Sequence, residues 1–344
     1  MHRLGPRGSS APMRTFRALP LLLVPLSVLP ALGCSSYERC SEIPAARWEN
    51  VSERLSATGL FADASTDTLA PGVRAYRPEF ELWSDGASKR RWVFLPPDAA
   101  VDSADMDAWQ FPTGTKFWKE FTSAGVRVET RLLQKMGPNP GDWLALSYIW
   151  SEDGQDAYAA PAGRENARGT THDVPSAALC MGCHGGTRGH VLGFSAVQLA
   201  HDAPPAELNL SRLLEDKRLS VPPARFPKIP GDERSRRALG YLHANCSHCH
   251  NQHRPERVGP RCFDPQKEFD LSLRTDELAS VSTTGAYRTA LGNVIEPRDP
   301  DGSAIVQRVE GTNWFGPRMP PLATEAIDRH GVQLLRAWIT SLSE

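Results

Sequence analysis

The segment TKFWKEFTSAGVRVETRLLQ, residues 115–134, predicts two β-strands joined by a tight turn. Its second half, VRVETRLL, alternates apolar and polar side chains over most of its length, which is typical of a half-buried strand. The intervening SAG, residues 123–125, is a turn signal. The segment therefore predicts neighbouring strands of an antiparallel sheet.

Similar short β-type runs lie on both sides of this segment. They are EFELWS, KRRWVFLP and DWLALSYIW, with turn signals SDG at 84–86 and GPNPG at 137–141. Strands at this spacing predict an antiparallel, sandwich-like β-rich domain over residues 76–225. Six tryptophans of this domain are expected in its core, with a sugar- or partner-binding surface as the alternative. They are Trp83, Trp92, Trp109, Trp118, Trp143 and Trp150.

Helical patterns replace strand patterns after residue 200. APPAELNLSRLLED predicts a short helix, and the prolines of SVPPARFPKIPGD suit a linker. Asp232 or its neighbour is expected to cap a helix over ERSRRALGYLHAN, and LLRAWI predicts a C-terminal helix. We therefore expect an α+β protein in which a mainly α domain, residues 226–344, follows the β-rich domain.

The N-terminus predicts export from the cytoplasm. Two arginines precede ALPLLLVPLSVLPALG, which is too short and too rich in proline to span a bilayer. Because this stretch ends at Cys34, residues 1–33 resemble a bacterial lipoprotein signal, and Cys34 would be the lipidated first mature residue. An ordinary cleaved signal is the alternative. Residues 34–75 are expected to form a linker with a helical segment.

Composition excludes one class of partner. The formal net charge is −1 and no long Lys/Arg run is present, so the chain lacks the basic surface that nucleic-acid binding requires. Protein or small-molecule partners are expected instead.

The cysteines form an unusual pattern. The chain has 7 Cys and 10 His, and four of the cysteines form two C-x-x-C-H units. These are CMGCH at 180–184, the first motif, and CSHCH at 246–250, the second motif. Chance would give only about 0.004 such units in this composition. Cys40 and Cys262 are left over, and in an oxidising compartment they could pair with each other.

Both motifs suit covalent attachment of c-type haem. Cysteines at i and i+3 of a helical turn face one side, so two thiols can form thioethers while the following histidine reaches the iron. The site residues would be Cys180, Cys183 and His184, and in the second motif Cys246, Cys249 and His250. A four-cysteine zinc site, a thioredoxin-like redox pair and structural disulfides are the alternatives.

Residues 226–344 resemble a class I cytochrome c. The resemblance consists of a helix, CSHCH, an irregular middle, RMPPL and a C-terminal helix. It implies that Cys246 and Cys249 hold a haem by thioethers and that His250 is the proximal ligand. Met319, whose loop the following prolines stiffen, would be the distal ligand.

A wider resemblance covers roughly residues 76–344. LWSDGASKRRWVFLP, WQFPTGTKFWKEF, VETRLL and both motifs are similar to an exported family of dihaem c-type cytochromes whose physiological role is poorly defined. It implies two covalently bound haem c groups. The distal ligand of the first haem stays open, with His172, His190, His201, Met136 or no ligand as the options. His243, His248 and His253 are expected at the surface or beside the propionates of the second haem.

These expectations favour an electron carrier over a catalyst. It would transfer single electrons in the periplasm or at the outer membrane, as the redox partner of a dehydrogenase, with a lipid anchor as its only membrane contact. A dihaem peroxidase-like oxidoreductase with an open first haem is the alternative, because no distal ligand is evident opposite His184.

Overall fold

The computed structural model describes residue 5 and residues 51–64, 67–254, 268–313 and 318–343. Described residues from 51 onward belong to one compact unit, residues 36–344. The predicted lipidation site Cys34 and the predicted pair Cys40 and Cys262 lie outside the described residues, as does the predicted signal peptide apart from Gly5. The domain boundaries stay predictions.

A long sheet dominates the N-terminal half of the described chain. The strands are β1 (Phe61–Asp63), β2 (Thr68–Leu69), β3 (Val73–Tyr76), β4 (Ser88–Phe94), β5 (Lys116–Ser123), β6 (Val126–Lys135), β7 (Trp143–Trp150), β8 (Ala157–Ala159) and β9 (Glu207–Leu208). Seven of them form one sheet in the order β8-β7-β6-β5-β4-β3-β9, and β1 and β2 form a separate two-stranded sheet. Pairing is antiparallel except between β3 and β9.

Alternation along β5 divides its side chains between two cores. Trp118 belongs to the core that includes Phe61 of β1. Phe117 belongs to the core that includes Cys180 and Phe194 from the helical layer. Because successive residues of a strand point to opposite faces, the sheet is covered on both sides.

Seven α-helices lie within the described residues. They are α1 (Ala177–His184), α2 (Ala196–Leu199), α3 (Leu210–Glu215), α4 (Glu233–Asn245), α5 (Gly285–Ala290), α6 (Ala304–Glu310) and α7 (Arg329–Ser341). The Asp232 side chain accepts a hydrogen bond from the Ser235 amide at 2.8 Å and so caps α4 as predicted. α4 packs against α7, where a side chain at Gly331 would overlap the ring of Tyr241. No helix in the described part of the chain is long and apolar enough to cross a bilayer.

The mixed α+β class is confirmed, but the sheet differs from the predicted sandwich-like arrangement. One seven-stranded sheet is covered by helices on one face and by the small β1–β2 sheet on the other, and β9 pairs parallel to β3. The strand predicted at EFELWS is wrong. Side chains satisfy its amides, since Phe80 N–H donates to Gln198 Oε1 at 3.0 Å and Trp83 N–H donates to Asn245 Oδ1 at 2.7 Å.

Tryptophan burial favours the core interpretation. Five of the six tryptophans named above are at most 5% exposed, and the sixth, Trp83, is half-buried. A binding surface needs solvent-facing rings, so the sugar- or partner-binding alternative loses its basis.

Candidate functional site

The first motif lies on α1 beneath the long sheet. The Ser176 side chain caps the helix by accepting from the Leu179 amide, and α1 packs against β7. Cys180 and Cys183 are one turn apart, and His184 is the last helical residue. Burial raises the pKa of the Cys180 thiol to about 11.

The ring of His184 is oriented by a backbone carbonyl. Its Nδ1 lies 2.8 Å from the carbonyl oxygen of His190. Because a carbonyl oxygen can only accept, Nδ1 carries the proton and Nε2 keeps its lone pair. His190 has a left-handed backbone, φ 60°, in the loop that returns this carbonyl to the ring. Burial lowers the pKa of His184 to about 4, so the imidazole is neutral, as a metal ligand must be.

A cavity opens beside the first motif. Cys180, Cys183 and His184 line it together with Lys119 of β5, Arg131 of β6 and residues 320–323. Much of the remaining wall is apolar, with aromatic and aliphatic side chains from the sheet. This is the composition expected for a pocket that encloses a large planar organic group.

The second motif forms a turn at the end of α4. The amides of Cys249 and His250 both donate to the carbonyl of Cys246, at 3.0 and 2.9 Å. The ring of His250 stacks on Phe269, with centroids 4.6 Å apart and planes 19° apart. Burial raises the pKa of the Cys246 thiol to about 12.

The structure brings the two motifs into contact. The candidate ligand atoms of Cys183, His248 and Cys249 all lie within 4.8 Å of one another. The interaction between these two sulfurs raises the pKa of Cys183 and lowers that of Cys249. All four motif cysteines are free thiols. The convergence of one cysteine from each motif was not predicted.

Polar side chains hold this junction together. The buried guanidinium of Arg254 donates to the carbonyl of Gly182 at 3.1 Å and to that of His248 at 3.0 Å. The Asn251 side chain donates to the carbonyl of Gly186 at 3.1 Å. Gly186 itself leaves no room for a side chain, because a Cβ there would overlap the His248 carbonyl and Arg254. The junction therefore depends on a close backbone approach.

Met319 lies in a loop that leads to the first motif. Its amide donates to the Arg308 carbonyl at 3.0 Å, and the residues that follow it, 320–323, line the cavity beside His184. The Asp85 amide donates to the Ala323 carbonyl at 3.2 Å, which ties this loop to the long sheet. The assignment of Met319 to the iron at His250 stays a prediction.

The three histidines predicted as options opposite His184 have other partners. His172 Nε2 lies 2.7 Å from a carboxylate oxygen of Glu129. Both ring nitrogens of His201 lie 2.8 Å from backbone carbonyl oxygens. His190 contributes its carbonyl to His184, and its Nδ1 lies 3.2 Å from the Arg188 carbonyl. Met136, the fourth option, is 44% exposed.

The histidines around the second motif have different surroundings. His253 is exposed, as expected. His248 is 4% exposed at the junction of the motifs, so it is not a surface residue, and the alternative beside the propionates stays a prediction. His243 is half-buried, and its Nδ1 accepts from the Leu273 amide at 3.1 Å. Burial lowers the pKa of His243 to about 4.

Sequence reasoning missed the basic wall of the cavity. Lys119 and Arg131 occupy strand positions that face inward beside His184. For Lys119 the available signal was its place between Phe117 and Phe121, on the apolar face that alternation assigns to KFWKEF. Alternation in VRVETRLL puts Arg131 on the polar face with Arg127 and Glu129, so the local pattern did not indicate that it faces the cavity. Arg254 was missed as well, because no local pattern indicates which carbonyls an arginine reaches.

Comparison of the chain with protein-family models, curated proteins and solved structures finds no match.

Proposed function

We propose that this protein is an exported dihaem c-type cytochrome that transfers single electrons, with one haem attached at each C-x-x-C-H motif. The observation that carries the proposal is the neutral ring of His184. Its Nδ1–H is donated to the His190 carbonyl, and the ring lines one cavity with the thiols of Cys180 and Cys183. A histidine held in this way presents Nε2 as a ligand.

The residues of both motifs would take the roles that c-type attachment requires. Cys180 and Cys183 would form thioethers to the first haem, and His184 would be its proximal ligand. Bound haem supplies a one-electron iron couple whose potential depends on the axial ligands, hydrogen bonding and burial. The protein fixes the His184 tautomer and excludes water with an apolar wall.

The second haem would be attached through Cys246 and Cys249, with His250 proximal and Met319 distal. His250 stacks on Phe269, which limits rotation of its ring. A thioether ligand would give this haem a higher potential than two nitrogen ligands would.

The cellular setting follows from the N-terminal sequence. We place the protein in the periplasm or at the outer membrane, held by a lipid on Cys34, with a periplasmic redox protein such as a dehydrogenase as its partner. Cys34→Ser should abolish incorporation of labelled fatty acid. The unmodified variant should then leave the membrane fraction.

A peroxidase-like activity is the second candidate. Its basis is that the three histidines predicted opposite His184 are hydrogen-bonded elsewhere. An open first iron would bind small ligands such as peroxide. Binding of cyanide to the oxidised protein, followed optically, separates this candidate from a carrier whose irons both have two protein ligands.

The proposal is tested by counting covalent haem. Protein purified from a host that matures c-type cytochromes, then denatured, should give pyridine-haemochrome absorbance equal to two haems per chain. The same chain produced in the cytoplasm without that machinery is the control and should give none. Absence of haem together with one zinc per chain would assign Cys183, His248 and Cys249 to a metal site instead.

A further inference from the structure

Three basic side chains stand side by side on the long sheet. Arg91 of β4 pairs directly with Lys119 of β5, and Lys119 pairs directly with Arg131 of β6. Directly opposed residues of an antiparallel sheet point to the same face, and like charges in such pairs repel each other. We call these three residues the basic row.

Two members of the basic row have acidic partners. Arg91 donates to Glu81 at 3.0 Å, and Arg131 donates through Nε to Glu129 at 3.0 Å. The side chain of Lys119 has neither a hydrogen bond nor an ion pair within the described residues. The ring of Phe121 lies beside this ammonium, with its centroid 5.1 Å from Nζ.

Lys119 is a half-buried cation without an ion pair in the described part of the chain. Burial, together with repulsion from Arg91, Lys89 and Arg131, outweighs the attraction of Glu81 and holds the pKa of Lys119 well below its ordinary value. A buried charge without a counter-charge is costly, so this position favours a site that an anion completes.

The position of Lys119 indicates which anion. It lines the cavity that contains Cys180, Cys183 and His184, and with Arg91 it also lines a neighbouring cavity. A group attached to the two thiols would therefore be adjacent to the basic row. The carboxylates of such a group would be the counter-charges that the row lacks.

We propose that the basic row, with Lys119 at its centre, binds the propionate carboxylates of the haem attached at the first motif. This inference rests on the proposed function. It assigns Lys119 a positioning role: the ammonium holds a carboxylate and places positive charge beside the haem. Positive charge near a haem favours the reduced state, so Lys119 raises the potential of the first haem.

The test compares two substitutions of Lys119 in the matured full-length protein. Lys119→Met keeps the length of the side chain and removes its charge, whereas Lys119→Arg keeps the charge. Both variants should retain two covalent haems, since the thioethers are unchanged. Lys119→Met should lower one midpoint potential and leave the other within error, and Lys119→Arg should restore it.

A matched control lies on the same strand. Lys116 is on the opposite face of β5, where its ammonium donates to the Thr58 carbonyl at 2.7 Å. Lys116→Met should leave both potentials unchanged. Equal shifts in the Lys116 and Lys119 variants would overturn the proposal, because they would reflect general loss of charge.

The optical spectrum separates propionate binding from iron ligation. If the amine of Lys119 were the second axial ligand, Lys119→Met and Lys119→Arg would both change the spin state of one haem. The proposal expects the long-wavelength absorption bands, which report the spin state of the haem iron, to be unchanged in both variants. A change of these bands in both variants overturns the proposal. Unchanged potentials in Lys119→Met overturn it too, whereas wild-type protein without covalent haem would overturn the proposed function itself.

Discussion

The two motifs share a five-residue pattern but differ in what surrounds them. The first lies on α1 under the long sheet, with charged residues such as Lys119 in the wall of its cavity. The second lies in a turn after α4, and His250 packs on Phe269 beside a core of helical side chains. On the proposed function, the motif would specify attachment of the haem, whereas the fold around it would specify the distal ligand and the nearby charge, and therefore the potential.

The largest expected effect comes from removing the distal ligand that we propose for the second motif. Met319→Ala should abolish the sulfur-to-iron charge-transfer band and lower one midpoint potential, because a thioether ligand is lost. The variant Cys180→Ala/Cys183→Ala isolates the second motif. We expect the band to persist in that background and to disappear when Met319→Ala is added.

The reciprocal background supplies the control. Cys246→Ala/Cys249→Ala keeps only the first motif, and it should lack the band. A band in this background would place Met319 over His184. Residues 320–323 line the cavity beside His184, so this outcome would reverse the predicted assignment.

A smaller effect tests the contact between the motifs. Gly186→Ala should lower the free energy of unfolding by about 2 to 3 kcal/mol, because the added Cβ overlaps the His248 carbonyl and Arg254. Urea denaturation of the matured protein measures the change. Gly141→Ala is the control, since nothing lies within 4 Å of a Cβ there. Equal stability of the two variants would mean that the motifs do not meet as described.

The smallest effect concerns the loop that follows Met319. The Asp85 carboxyl lies beside that of Glu325, and its Oδ1 accepts from the Ala326 amide at 2.8 Å. Burial, reinforced by the neighbouring carboxyl of Glu325, raises the pKa of Asp85 to about 7. The folded protein therefore keeps a proton that the unfolded chain releases near pH 4. This contribution to stability is full at low pH and is lost as pH rises through about 7.

Asp85→Asn should remove this pH dependence. When the pH is raised from 5 to 8, the free energy of unfolding of the variant should rise by about 1 kcal/mol relative to that of the wild type, after allowance for solvent screening. Thermal denaturation at both pH values measures the difference. Asp98→Asn, at an exposed aspartate with a similar left-handed backbone, is the control and should follow the wild type. An equal change in the stability of Asp85→Asn at both pH values would contradict the raised pKa of Asp85.

The strands of the long sheet were predictable because their side chains alternate. VRVETRLL lies within β6, and KFWKEFT lies within β5. EFELWS has a similar local pattern but forms no strand, because its amides bond to Gln198 and Asn245. Those partners lie 118 and 162 residues away, so no local pattern could reveal them.

The candidate site was predictable in its residue types and less so in its geometry. The spacing of Cys180, Cys183 and His184 predicts one face of a helix, and α1 has that form. The sequence offers the imidazole of His190 as a possible iron ligand, but in the structure the carbonyl of His190 orients the ring of His184. The approach of Cys183 to Cys249 depends on Gly186 and Arg254, and tertiary packing alone determines it.

The most direct test of the account is to locate haem on the chain. Matured protein is digested, and the peptides that contain Cys180 with Cys183, and Cys246 with Cys249, are identified by mass spectrometry. The account predicts that each peptide carries the mass of one haem. Unmodified cysteines in both peptides would contradict it, and haem on the second peptide alone would reduce the protein to a single-haem carrier.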